Sequence, residues 1–361
     1  MSFQATSLRP AIESKIRRSL PKLYAWYRKN CRPLPWRTHP TPYRTAVAEF
    51  MCQQTRIATV IPYYLRWMRT FPDWSHLART SPSRVLRLWE GLGYYRRARF
   101  LHSLAKAVIR LPGKELPADP DALHKLPGIG DYTAGAIASI AFGQPAPAFD
   151  GNVARVLGRL AARSGRTPAL AALRSLAGRL VPRRHPGLHN QALMELGALI
   201  CLPKNPRCYS CPLCRACPSY VHNSRFPSQP PVNVIVNVNE KSIASVPRFP
   251  LPSTSRLKPA PTAQREYILL SKRNGRIWLT QNHPQGRWQG LHLLPTVSRR
   301  PCGSAKARIR YPFTRYVVHA AVFVTREPPA GFPGRWMKPM EVRRATLPAP
   351  HRKILASLGI R

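Results

Sequence analysis

The chain has 361 residues, 44% of them hydrophobic, which suits two or three compact domains and argues against a disordered polymer. Lys and Arg number 58 against 14 Asp and Glu, a formal charge of +44. A polyanion is therefore the expected partner, nucleic acid ahead of an anionic membrane, because the basic residues are spread along the chain without an amphipathic anchor. No apolar run approaches the roughly 20 residues that cross a bilayer, and residues 1–20 lack the apolar core of a signal peptide, so a cytoplasmic, bacterial protein is expected.

Residues 8–225 read as mostly helical. Apolar residues recur at three- and four-residue spacings over 45–53, 83–88, 96–111, 132–142 and 153–162, with Pro, Gly or Asp between the segments. In so acid-poor a chain, an acid inside an apolar stretch needs a reason. Glu49 stands beside Ala46, Val47, Phe50 and Met51. Against that stripe its pKa is expected to rise, making it a proton donor near neutrality, whereas a helix-edge Glu would face solvent.

Leu126-Pro127-Gly128-Ile129-Gly130 lies between helical segments at 121–125 and 132–142. Its two glycines permit a tight turn with positive φ. Such a turn points backbone N–H groups outward at a helix N-terminus, a nest for a phosphate that reads the backbone and not the bases. Asp150 precedes Gly151-Asn152-Val153, where a helix starts, and Asp is an ordinary N-cap there. If it faced Glu49, the pair would provide an acid for a leaving group and a carboxylate for an oxocarbenium-like sugar.

Eight cysteines are present, five of them at Cys201, Cys208, Cys211, Cys214 and Cys217. Such clustering reads as a metal site and not as a disulfide framework. Two four-ligand sets fit the spacing: C-x6-C-x2-C-x5-C, which omits Cys214, and C-x2-C-x2-C-x2-C from Cys208 onward. Four thiolates suit iron–sulfur or zinc, and the absence of a second C-x2-C knuckle favours iron–sulfur.

Residues 227–262 hold eight prolines and a single acid, Glu240, and read as a linker in which 232–238 is at most an edge strand. After it, β-branched and aromatic runs at 266–271, 277–281 and 317–325 predict strands, and a helix over 350–358 closes a separate α/β domain.

Taken in order, these blocks resemble the endonuclease III superfamily and, within it, the MutY-type adenine DNA glycosylases. The likeness runs through Leu34-Pro35-Trp36-Arg37, Glu49-Phe50-Met51-Cys52-Gln53-Gln54-Thr55, Gly91-Leu92-Gly93-Tyr94-Tyr95, the glycine hairpin, Phe149-Asp150-Gly151-Asn152-Val153 and Gln191-Ala192-Leu193-Met194-Glu195-Leu196-Gly197-Ala198. It implies a mainly α fold: a two-lobed helix-hairpin-helix glycosylase over 8–226, with 31–143 as a six-helix barrel lobe and 8–30 plus 144–226 as a cluster lobe. It implies a 4Fe-4S cluster on Cys201, Cys208, Cys211 and Cys217, leaving Cys214 spare. Glu49 would protonate adenine at N7, and Asp150 would stabilise the sugar cation. Tyr132 stands where the superfamily's lyases carry a Lys; Tyr cannot form a Schiff base, so a monofunctional enzyme is expected. Arg37 and Gln191 match positions lining the adenine pocket, and Gln54 and Tyr94 match residues that wedge into the duplex when the base is flipped out. Gln53, Asn152, Leu126, Gly128 and Gly130 join them as expected DNA contacts. The partner implied is double-stranded DNA bearing an adenine mispair, bound by a monomer.

Residues 263–361 resemble the family's C-terminal α/β MutT-like domain, with Gly286–Pro295 matching a glycine- and tryptophan-rich block. No Asp or Glu lies between Pro295 and Phe313, so nucleotide hydrolysis is not expected. The family's loop for oxidised guanine has the form Phe-Ser/Thr-His; here it is Phe313-Thr314-Arg315. An endonuclease III-like lyase for oxidised pyrimidines and a non-catalytic, cluster-bearing DNA-binding protein are the competing readings. Tyr132 and the extra domain argue against the first.

Overall fold

A computed structural model describes residues 10–162, 167–221, 262–281, 288, 291–313 and 316–360. In chain order its α-helices are α1 (Pro10–Asn30), α2 (Pro35–Thr38), α3 (Pro42–Cys52), α4 (Ile57–Thr70), α5 (Trp74–Arg79), α6 (Pro82–Trp89), α7 (Arg96–Val108), α8 (Pro120–His124), α9 (Asp131–Ala141), α10 (Gly151–Leu160), α11 (Leu170–Leu180), α12 (Pro186–Leu199), α13 (Pro218–Val221), α14 (Pro339–Arg344) and α15 (Ala349–Ser357). The strands are β1 (Thr262–Arg273), β2 (Arg276–Thr280), β3 (Thr296–Val297), β4 (Ala307–Phe313), β5 (Tyr316–Thr325) and β6 (Gly334–Met337). The chain divides into two compact units: one holds Met1–Thr45, Pro117–Lys125 and Ile129–Ser255, the other Ala46–Leu116, Leu126–Gly128 and Arg256–Arg361.

In the first unit α1 carries Ile16, Leu20, Leu23 and Tyr27 on one face, at the three- and four-residue spacing of an amphipathic helix. They pack with Val153, Val156, Leu157 and Leu160 of α10, Leu173, Leu176 and Leu180 of α11, and Leu193 and Leu196 of α12. Burying each such side chain contributes about 1.5–3 kcal/mol. Helices α10 and α12 approach closely at Gly197, where an added Cβ would come within 2.6 Å of the Asn152 Cβ.

In the second unit, side-chain caps set where helices begin. Asp73 accepts from the His76 N–H at 2.9 Å to start α5, and Ser81 accepts from Arg84 at 3.4 Å to start α6 ahead of Pro82. Buried Trp67 of α4 meets Phe71 and Trp89 edge-on, with ring centroids 5.0 and 5.4 Å apart.

The same unit contains a sheet of order β4-β5-β1-β2-β6, with β3 on β1. Strand β1 runs parallel to β5 in register from Thr262↔Tyr316 to Ser271↔Thr325, and the other pairs are antiparallel. Ile268, Leu270, Val318, Ala320 and Val322 form its core with Ile354 and Leu355 of α15. Strand β4 is absent from the sequence reading although exposed Arg308 and Arg310 alternate with Ile309 and Tyr311, the period-two pattern of a half-buried strand; it pairs antiparallel with β5, which follows it directly in the chain. Among the described residues no helix lies between 291 and 313. The expected linker up to residue 261, the segment 232–238, Gly286, Arg287, Gln289, Gly290, Thr314 and Arg315 lie outside the described residues. No described helix is long and apolar enough to cross a membrane.

Candidate active site and nucleic-acid interface

Asp150 is the N-cap of α10. Its Oδ1 accepts from the Val153 N–H at 2.7 Å and its Oδ2 from the Asn152 side-chain amide at 2.8 Å, so both oxygens are held in place. The positive end of the helix dipole favours a carboxylate at this position. Asn152 in turn accepts from Arg155 at 2.8 Å, and Arg155 donates to the Gly197 carbonyl at 2.6 Å and the Cys201 carbonyl at 2.7 Å. The capping role and a role at a reacting sugar thus make different demands on one side chain, and the first is met within the helix itself.

In the same unit Tyr132, in the first turn of α9, donates its hydroxyl to the Met194 sulfur at 3.4 Å. Gln191 accepts from the Tyr27 hydroxyl at 3.2 Å, and the Arg37 guanidinium stacks over the Tyr27 ring at 5.5 Å. Arg37 also donates to Glu195 at 2.8 Å, beside the Arg32 side chain and backbone N–H, which donate to the same carboxylate. Glu195 is 1% exposed. Burial alone would raise its pKa, but hydrogen bonds from Arg32 and Arg37 outweigh that and bring it down to about 2. The sequence reading placed Arg37 and Gln191 and passed over Glu195. The signal was present: an acid between Met194 and Leu196 in the apolar helix α12 is the anomaly that marks Glu49.

Glu49 belongs to the other compact unit, in the last turns of α3, and is half-buried among fully buried Ala46, Val47, Phe50 and Met51. Beyond the helix, Gln53 is half-buried and Gln54 exposed, and Tyr94 is 44% exposed at the tip of the Gly91–Tyr94 turn. Gln54 and Tyr94 both have left-handed backbones, φ 57° and 49°, which few side-chain-bearing residues adopt.

At the hairpin, Gly128 alone has a positive φ, 77°, and a Cβ there would come within 2.5 Å of the Phe100 Cβ. Gly130 is extended, φ −102°, and N-caps α9, so the expectation that both glycines serve the same turn is corrected: one makes the turn and one opens the helix. Leu126 is half-buried. Phe313 pairs with Tyr316 at the end of β4, and Thr314 and Arg315 lie outside the described residues.

Cys201, Cys211 and Cys217 pack against the core of α1, α10, α11 and α12. Arg159 of α10 donates to the Cys201 sulfur at 3.1 Å. Burial first, then the neighbouring Cys201, Cys217 and Cys208 thiols, pushes Cys211 up to about 12. Among the described residues no group of three or more Cys, His, Asp or Glu side chains is arranged to hold a single metal ion. A polynuclear cluster holds its thiolates farther apart than one ion does, and this donor set of soft sulfurs with a neighbouring guanidinium fits such a group.

Residues 47–180 match the family model of the HhH-GPD superfamily base excision DNA repair proteins. Human adenine DNA glycosylase is 46% identical over 209 residues, covering 54% of this chain and 38% of that protein, so the chain spans well under half the length of the human relative. Adenine DNA glycosylase of Buchnera aphidicola subsp. Baizongia pistaciae (strain Bp) is 34% identical over 277 residues, covering 76% of this chain and 72% of that protein. Among solved structures, a non-covalent endonuclease III–DNA complex aligns with a TM-score of 0.51 at 25% identity over 59% of this chain and 99% of that one. With so many shared residues along most of a full-length relative, the chain belongs to the adenine DNA glycosylases of the helix-hairpin-helix base-excision repair superfamily.

Proposed function

We propose that this protein removes adenine mispaired with 8-oxoguanine or guanine from double-stranded DNA, acting as a monomer in the cytoplasm. Glu49 donates a proton to N7 of the extruded adenine. The bond between the sugar and the base then breaks with its electron pair leaving on the base. Asp150, its oxygens aimed by Val153 and Asn152, stabilises the positive charge left on the sugar until water adds. The observation that carries this reading is the placement of a carboxylate at the N-terminus of α10 in a member of this family, with Tyr132 where an amine would be needed for lyase chemistry.

Arg37, Gln191 and buried Glu195 form the polar wall offered to the base. Tyr94 and Gln54 fill the gap it leaves, and Gln53, Asn152 and Leu126–Gly130 meet the backbone. Cys201, Cys208, Cys211 and Cys217 hold a 4Fe-4S cluster that, when bound, cross-links the 201–217 loop. Residues 263–361 are assigned as the MutT-like domain, and Phe313 and Thr314 to recognition of the oxidised guanine.

The test is single-turnover release of adenine from duplexes with adenine opposite 8-oxoguanine, guanine and thymine, by wild type and Glu49→Gln. Release opposite 8-oxoguanine, slower release opposite guanine, none opposite thymine, and loss in Glu49→Gln with duplex binding retained is the expected pattern. Absence of release from every duplex by the wild type overturns it in favour of a DNA-binding protein without catalysis.

A further inference from the structure

Arg97, in the first turn of α7, is 7% exposed, an unusual place for a guanidinium. The donors of its two terminal nitrogens go to one set of acceptors. One terminal nitrogen reaches the carbonyls of Phe50 at 3.0 Å, Met51 at 2.7 Å and Gln53. The other reaches the Thr55 hydroxyl at 2.9 Å and the carbonyls of Leu92 at 3.4 Å and Gly93 at 3.1 Å.

The first set closes α3. A helix leaves its last four carbonyls without intrahelical partners. Here Glu49 O is taken by Gln53 N and Cys52 O by Thr55 N, and the two between them, of Phe50 and Met51, fall to Arg97. The same cation therefore fixes the end of the helix that carries Glu49.

Two of the remaining contacts fall on the peptide planes that lead into Gln54 and Tyr94. The Gln53 carbonyl shares its plane with the N of Gln54, and the Gly93 carbonyl shares its plane with the N of Tyr94. Gln54 and Tyr94 are the two non-glycine residues of this region with left-handed backbones, and the guanidinium also stacks against the Tyr94 ring at 5.3 Å and the Trp89 ring at 5.4 Å. A planar fork with five donors can hold both planes at once, and an ammonium cannot.

We propose that Arg97 is a positioning residue that clamps Gln54 and Tyr94 together as one preformed wedge, so that opening the duplex requires no reorganisation of either tip. The inference rests on the reading of Gln54 and Tyr94 as duplex-invading residues. It assigns Arg97 to base extrusion and not to bond cleavage.

The test uses the full-length protein with Arg97→Lys, which keeps a positive charge but loses the fork, and Thr55→Val, which removes one acceptor and leaves the guanidinium. The first readout is the fluorescence of 2-aminopurine placed beside an adenine mispair, which rises when the stack opens and does not depend on catalysis. The second is single-turnover adenine release from the mispaired duplex and from a single strand, where no extrusion is needed. Arg97→Lys is expected to abolish the fluorescence rise and to slow release from the duplex about 100-fold, the scale of an ångström misplacement, and to slow release from the single strand, through the loosened end of α3, at least about tenfold less than that. Thr55→Val shows the same pattern more weakly, and it decides the question should Arg97→Lys fail to melt cooperatively. A retained fluorescence rise, or equal loss on both substrates, overturns the clamp and leaves Arg97 a packing residue. Wild type that releases adenine from neither substrate overturns the glycosylase reading, and the fluorescence still decides the clamp.

Discussion

Arg352 of α15 grips Glu90 with two nitrogens, at 2.6 and 2.9 Å, at the residue that immediately precedes the Gly91–Tyr94 turn. The same guanidinium also donates to the Ala345 carbonyl at 2.7 Å, and Arg87 of α6 returns a bond to the Arg344 carbonyl at 2.9 Å. The pair is sheltered, with side-chain exposures of 33% and 15%, and bidentate. Arg352→Met strands the Glu90 carboxylate and is expected to destabilise the protein by about 1–3 kcal/mol. Hydrogen exchange should quicken both over residues 339–357 and over 87–95. Exchange quickened in the first segment only would show that the pair does not steady the Tyr94 turn.

The two hairpin glycines should separate cleanly under substitution. Gly128→Ala combines a left-handed backbone with a 2.5 Å approach to the Phe100 Cβ, and about 2–4 kcal/mol of stability is expected to be lost. Gly130→Ala has extended backbone and open space around its Cβ, so less than about 1 kcal/mol is expected, from the poorer N-cap. Urea denaturation of both variants checks this, and comparable losses would mean the turn adapts around residue 128.

How far the sequence could be read is clear from particular residues. Glu49 and Asp150 stand out in the sequence because acids are scarce here, and the cysteines because their spacing is dense. Helix α6 announces itself within a few residues, whereas α5, only six residues long although capped by Asp73, was not among the segments read from apolar spacing. Arg97 was not legible: among 58 basic residues nothing local marks Arg97 as one that the fold buries, and its acceptors lie some forty residues upstream and in the turn before it. Strand β4 was missed for a different reason: its alternation of Arg308 and Arg310 with Ile309 and Tyr311 is a local strand signal, but it is short, rich in Arg and interrupted by Pro312. Glu195 was missed although a local rule marked it.

Two buried groups set the acid limit of the first unit. His189 is 1% exposed and held at about 4, below the usual 6.5, by burial and then by the nearby Arg17 charge. Its neutral form is favoured in the fold, so its contribution is complete above about pH 6.5 and is lost as pH falls toward 4. Glu195, lowered to about 2 from 4.5, contributes fully above about pH 4.5 and loses that contribution between 4.5 and 2. Stability should therefore fall in two steps on acidification. His189→Gln, which can still meet the Tyr24 hydroxyl that lies 2.9 Å from the His ring, should flatten the upper step. Urea midpoints at pH 7.5 and 5 measure it; an unchanged difference between those pH values in the variant would assign the step to another group.

Asp150 offers the sharpest separation of fold from chemistry. As the N-cap of α10 it needs an oxygen that accepts from the Val153 N–H, which Asn supplies about as well as Asp, though Asn loses the bond that Asp150 accepts from the Asn152 amide. Asp150→Asn should therefore cost less stability than Asp150→Ala, which has no acceptor and loses about 1–2 kcal/mol. Stabilising a sugar cation needs the negative charge, and there Asn fails as Ala does, so both variants should release adenine at least about 100-fold more slowly than wild type. Melting curves and single-turnover release on the same preparations keep the two roles apart. Asp150→Asn that folds and releases adenine at the wild-type rate would confine Asp150 to capping and remove it from the chemistry.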